Sequence, residues 1–105
     1  MSVDEKELRN EIIRILETVY DPEIPVNIYE LGLIYDIHIE DSGNVAITMT
    51  LTSPGCPVAG SMSREIEHKL KNIPEVKDVV VSVVWDPLWT QEMMSDAARL
   101  ELGLF

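Results

Sequence analysis

The chain has 105 residues, 46% of them apolar and 26% charged, which fits one domain able to bury a core without disulfide staples. Its net charge of −11 argues against a nucleic-acid partner, because phosphate backbones demand Lys and Arg. A single cysteine excludes an internal disulfide and fits a reducing cytosol, and no apolar run approaches the length that spans a bilayer.

The start of the chain, Met1-Ser2-Val3-Asp4-Glu5-Lys6-Glu7, is acidic and has no apolar stretch of the kind a secretory signal needs. A cytoplasmic protein of one domain, residues 1–105, is expected. The charge is uneven: residues 1–41 hold 11 acids and 3 bases, residues 42–105 hold 8 acids and 5 bases. An acidic first half can steer a basic partner or simply aid solubility, and solubility is the plainer reading.

Leu8, Ile12, Ile15, Leu16 and Val19 form an apolar stripe at helical spacing. Ser2 and Glu5 have capping-box spacing, so the first helix is predicted over 3–19. It ends at Tyr20-Asp21-Pro22-Glu23-Ile24-Pro25, where a residue before proline resists the helical region. Two prolines stiffen this loop and fix the directions of Asp21 and Glu23. Acidic residues in a Pro-rich loop are commonly plain turn formers; a binding role is the sharper alternative.

Leu33, Tyr35, Ile37 and Ile39 alternate with Ile34, Asp36, His38 and Glu40, a strand with one oily and one largely wet face. Asp41-Ser42-Gly43-Asn44 reads as a hairpin turn into a second strand over 45–52. On that strand Val45, Ile47, Met49 and Leu51 face the core, which puts Thr48, Thr50 and Thr52 on the opposite face. Threonine is a good strand former, yet the hydroxyls of Thr50 and Thr52 stand close in sequence to the only cysteine.

The hydrophobic period then changes from two to nearly four across Thr50-Leu51-Thr52-Ser53-Pro54-Gly55-Cys56-Pro57-Val58-Ala59. Val58, Met62, Ile66 and Leu70 recur at every fourth position, predicting a second helix over about 57–71. Pro57 suits its first position, which sets Cys56 at or beside the N-cap. Unpaired backbone N–H groups and the helix dipole there favour a thiolate, the form that attacks electrophiles and binds soft metals. The plain alternative is a small buried cysteine. Glu65–Lys69 and Glu67–Lys71 sit at i,i+4 spacing.

A third strand over 76–85 is apolar on both faces, with Val79, Val81, Val83 and Trp85 on one and Val80, Ser82 and Val84 on the other. Something should cover its outer side, either the C-terminal segment or another subunit. Thr90 looks like the N-cap of a last helix, with Glu92 in its first turn and Gly103 after its end. Trp85 and Trp89 flank Asp86-Pro87; folding back onto the sheet is the simpler use of this pair, partner docking the sharper one. The element order is α-β-β-α-β-α. It predicts an α/β fold of the α+β type, a two-layer sandwich with helices packed on a small three-stranded sheet.

No glycine-rich phosphate loop or His-Glu-x-x-His occurs. A Cys/His dyad would need His38, on the outer face of the first strand, or His68, about 18 Å along the second helix from Cys56. Neither is a convincing base, so nucleophilic catalysis of the cysteine-protease kind lacks support.

Four blocks together resemble a known family: Asp21-Pro22-Glu23-Ile24-Pro25-Val26-Asn27, Leu31-Gly32-Leu33-Ile34-Tyr35, Thr50-Leu51-Thr52 through Pro54-Gly55-Cys56-Pro57, and Trp85-Asp86-Pro87 with Trp89. They are similar to the iron–sulfur cluster carrier assembly domain of the bacterial SufT and PaaD proteins and the eukaryotic cytosolic iron–sulfur targeting factors. The likeness covers about residues 5–103. It implies a role in maturing iron–sulfur proteins rather than an enzyme, with Cys56 as the key position and Asp21, Glu23, Thr50 and Thr52 around it. Partners would be iron–sulfur assembly proteins and apo-protein targets.

Clusters are commonly held by four thiolates, and one chain supplies one. A bound cluster therefore needs a second chain, an external thiol, or oxygen ligands such as Asp21 or Glu23. Incomplete ligation leaves a cluster labile, which suits a carrier, and the two-faced third strand offers a surface for a homodimer. Two other functions compete with the carrier: a metal-free docking adaptor using Trp85–Trp89 and the acidic first half, and a thiol enzyme using Cys56 as nucleophile.

Overall fold

The computed structural model describes residues 4–20, 24–52 and 59–103. Its elements run α1 (Glu5–Leu16), β1 (Ile34–Ile39), β2 (Asn44–Met49), α2 (Ala59–Lys71), β3 (Asp78–Val83), a short 3-10 turn (Gln91–Met93) and α3 (Asp96–Glu101). The expected order and the α+β class hold. The sheet is mixed, in the order β1-β2-β3, with β1 antiparallel and β3 parallel to β2. A parallel pair needs a crossover, and α2 supplies it.

α1 is shorter than its apolar stripe. Its N-cap is Asp4, whose carboxylate accepts from the Glu7 N–H at 3.2 Å; Ser2 lies outside the described residues. The helix stops at Leu16, three residues before the end expected from Val19. The Thr18 N–H and hydroxyl both bond the Ile15 carbonyl, at 2.9 and 2.6 Å, and the Val19 N–H bonds the Leu16 carbonyl. These tight bonds close the last turn and occupy carbonyls that a longer helix would have used.

Ile37, Ile39, Val45, Ile47, Met49 and Val79 bury one face of the sheet with Leu8, Ile12 and Leu16 of α1 and Met62, Ile66 and Leu70 of α2. The other face carries Asp36, His38, Val80 and Ser82 and is exposed. Alternation in β1 breaks at a bulge between Ile34 and Asp36, so Tyr35 does not continue the inner row of Ile37 and Ile39. The hairpin turn places Gly43 at φ +96°, a conformation that favours glycine.

On α2, Glu65 pairs with Lys69 at 3.0 Å as its spacing suggests. Lys71 instead reaches Asp78 at 3.4 Å. The Asp78 carboxyl is held below its usual range, first by the Val79 N–H and then by Lys71. Being exposed, it gives a small stabilisation, present above the ordinary carboxylate pKa and lost as pH falls through the lowered one.

The ends of β3 and of the chain differ from expectation. β3 spans Asp78–Val83, and Val80 remains 57% exposed; among the described residues the C-terminal segment does not cover it. That segment docks instead on the turn before β1. The Trp89 indole N–H donates to the Leu31 carbonyl at 2.7 Å, the Tyr35 hydroxyl to the Pro87 carbonyl at 2.7 Å, and the Ser95 N–H to the Glu30 carbonyl at 2.8 Å. Gly32 sits at φ +81°, where a side chain would run into the Met93 carbonyl. Thr90 precedes only the 3-10 turn and makes no side-chain cap. The last helix is capped by Ser95, whose hydroxyl accepts from the Ala98 N–H at 3.1 Å.

Candidate functional site

The carboxyl ends of the two parallel strands lie side by side, since Met49 pairs with Val83. In open sheets with parallel strands, ligands favour the crevice beyond such ends. The stretch that contains Cys56 joins this end of β2 to α2. Of the five residues singled out from the sequence, Cys56, Asp21 and Glu23 lie outside the described residues; Thr50 and Thr52 lie within them.

Thr50 corrects the sequence reading. It was expected on the open face of the sheet, and it is fully buried, between buried Met49 and Leu51. Alternation of faces holds only along the ladder, and the ladder ends at Met49. Beyond it the Thr50 N–H donates to the Leu33 carbonyl at 2.9 Å, while the Val84 N–H donates to the Met49 carbonyl at 2.8 Å. The chain is thus flanked from both sides. The Thr50 hydroxyl is enclosed with no hydrogen-bond partner among the described residues, an arrangement that costs free energy and is rare in native proteins. Thr52 is half-buried.

The acidic loop is tied to this position through the backbone. Tyr20 and Asn27 form an antiparallel bridge that closes the base of the loop. The Val19 carbonyl accepts from Ile28 N–H at 2.8 Å, the Ile28 carbonyl from Leu33 N–H at 3.2 Å, and the Leu33 carbonyl from Thr50 N–H. Three successive hydrogen bonds therefore run from the stem of the segment bearing Asp21 and Glu23 to the residue at the end of β2.

His38 and His68 are both exposed, as expected of surface histidines. Among the described residues no group of three or more His, Cys, Asp or Glu side chains could hold a metal ion. The sequence reading missed the clasp of Trp89 on Leu31 and of Tyr35 on Pro87. Both belong to blocks already singled out, but a pairing across more than fifty positions leaves no mark in spacing. The tryptophans divide their work: Trp89 is half-buried against the core, and Trp85 is 38% exposed.

The chain belongs to the iron–sulfur cluster assembly protein family, whose model matches residues 9–83. It is 47% identical over 93 residues to the Fe–S protein maturation auxiliary factor of Porphyromonas gingivalis, covering 89% of each chain. It is 42% identical over 86 residues to the Fe–S protein maturation auxiliary factor SufT of Staphylococcus aureus, covering 82% of this chain and 98% of the relative. A crystal structure of a domain of unknown function from Bacillus anthracis superposes with a TM-score of 0.85 at 42% identity, covering 95% of both chains.

Proposed function

We propose that the protein is a cytoplasmic iron–sulfur cluster assembly or transfer factor, a carrier rather than an enzyme, that binds iron or a cluster transiently through Cys56 and passes it to apo-proteins. The observation that carries this reading is the Thr50 hydroxyl at the carboxyl end of the parallel pair, enclosed and without a hydrogen-bond partner among the described residues. A buried polar group left without a partner is unfavourable unless something it can bond arrives there, and Thr50 sits six positions before the only thiol in the chain. A cluster sulfide or a ligated water supplies such a partner. Asp21 and Glu23 are the oxygen donors that complement one thiolate, Thr52 the second hydroxyl. Family membership and the names of the relatives support the same cargo. With one thiolate per chain the grip is weak, as transfer requires. No helix among the described residues is long and apolar enough to cross a membrane.

Anaerobically loaded protein should lose its visible cluster absorption on mixing with an apo-acceptor, while the acceptor gains activity. Retention of the cluster by the donor, with an inactive acceptor, would sink the carrier reading.

A second reading, a metal-free adaptor that recruits target enzymes to the maturation machinery, is favoured by the exposure of Trp85 and Leu88, at 38% and 60%. Because Trp89 turns inward, Trp85 is the residue to test. Capture of maturation partners equally by wild type and Cys56→Ser, and its loss in Trp85→Ala, would favour the adaptor over the carrier.

A further inference from the structure

α3 closes over the stem of the acidic loop and leaves a cavity of about 100 Å³ lined by Tyr20, Pro25, Val26, Asn27, Glu30, Ala97, Ala98 and Glu101. Small-molecule cofactor sites run to about 300–1,000 Å³, so the cavity holds a side-chain head group and little more. Its two charged lining residues are Glu30, half-buried, and Glu101, exposed at the end of α3. No basic residue lines it, and neither carboxylate has a hydrogen-bond or ion-pair partner among the described residues. Tyr20 lines the same space and is 58% exposed. Two carboxylates without a partner among the described residues, beside an exposed tyrosine, match one chemistry: a flat cation that can stack on an aromatic ring and fork its N–H groups toward oxygen.

We propose that this cavity takes an arginine side chain of a partner protein. Arginine fits better than lysine because its planar guanidinium stacks on tyrosine and bonds carboxylates in pairs. A protein fits better than a free cation because apolar residues are exposed on the two segments that line the cavity. Leu100, on the same helix as Ala97 and Glu101, is 69% exposed, and Pro25 is exposed beside Tyr20. The net charge of −11 draws such a partner in. The partner is thereby held at the stem of the loop that carries Asp21 and Glu23. The inference does not depend on metal binding by Cys56, and its test contains no metal.

The test is an NMR titration of the 15N-labelled full chain with three ligands: acetyl-arginine amide, its neutral isostere acetyl-citrulline amide, and the peptide acetyl-Leu-Arg-Leu-amide. The arginine derivative should shift the amides of Asn27, Glu30 and Ala98 saturably, and citrulline should bind at least ten-fold more weakly. The peptide should bind several-fold more tightly than the single residue. Glu30→Gln/Glu101→Gln should weaken arginine binding at least ten-fold, and Glu101→Gln alone, at an exposed helix position, several-fold. Absence of shifts at these amides, an equal response to citrulline, or unchanged binding in both variants overturns the proposal. A peptide no tighter than acetyl-arginine amide overturns the protein as the source of the cation.

Discussion

Trp89→Ala should lower the unfolding free energy by about 3 kcal/mol, a large share of the roughly 5–15 kcal/mol that holds a domain of this size. The indole packs against the core and its N–H satisfies the Leu31 carbonyl at 2.7 Å. Removing it empties that volume and leaves the carbonyl without its donor. The damage should spread beyond the contact, because Leu31 lies in the turn that links the acidic loop to Leu33 and Thr50. Trp89→Phe keeps most of the packing and loses the hydrogen bond, so about 1 kcal/mol is expected. Urea unfolding of the three proteins measures both. A loss below about 0.5 kcal/mol in Trp89→Ala, the range of ordinary surface substitutions, would show that the C-terminal segment does not brace the site.

Thr50→Val should act in the opposite direction, raising stability by about 1–3 kcal/mol. Valine keeps the branched shape and replaces a buried hydroxyl that lacks a partner among the described residues. For a chain of about this length each kcal/mol moves Tm by about 4–8 °C, so thermal unfolding resolves the change. On the proposed function the same variant should also shorten the lifetime of a reconstituted cluster several-fold, because valine offers the cargo no hydroxyl. A destabilised Thr50→Val would mean that the hydroxyl is already satisfied in the empty protein. A stabilised variant with an unaltered cluster lifetime would remove Thr50 from the site.

Elements whose signal lies in a local period were legible in the sequence. The every-fourth apolar positions Met62, Ile66 and Leu70 define α2, and the alternation of Ile37, Ile39, Val45 and Ile47 defines the hairpin; all are buried as the pattern requires. What the sequence concealed depends on residues meeting across the chain. Thr50 follows the alternation on paper, but the strand pairing ends one residue earlier and the next segment is enclosed. The end of α1 depends on the Thr18 hydroxyl choosing the Ile15 carbonyl, a competition the apolar stripe does not register. Asp4 and Glu7 have the spacing of a cap as surely as Ser2 and Glu5, and the period alone could not choose between them. The partner of Trp89 is a backbone carbonyl 58 positions away, and no composition or spacing points to it. Of the candidate site, Cys56, Asp21 and Glu23 lie outside the described residues, and the enclosure of Thr50 was not legible in the alternation.

The decisive comparison is iron and acid-labile sulfide content after anaerobic purification and reconstitution of wild type and Cys56→Ser. The account predicts iron and sulfide in near-equal amounts in wild type and neither above background in the variant. An intact cluster in Cys56→Ser would contradict it.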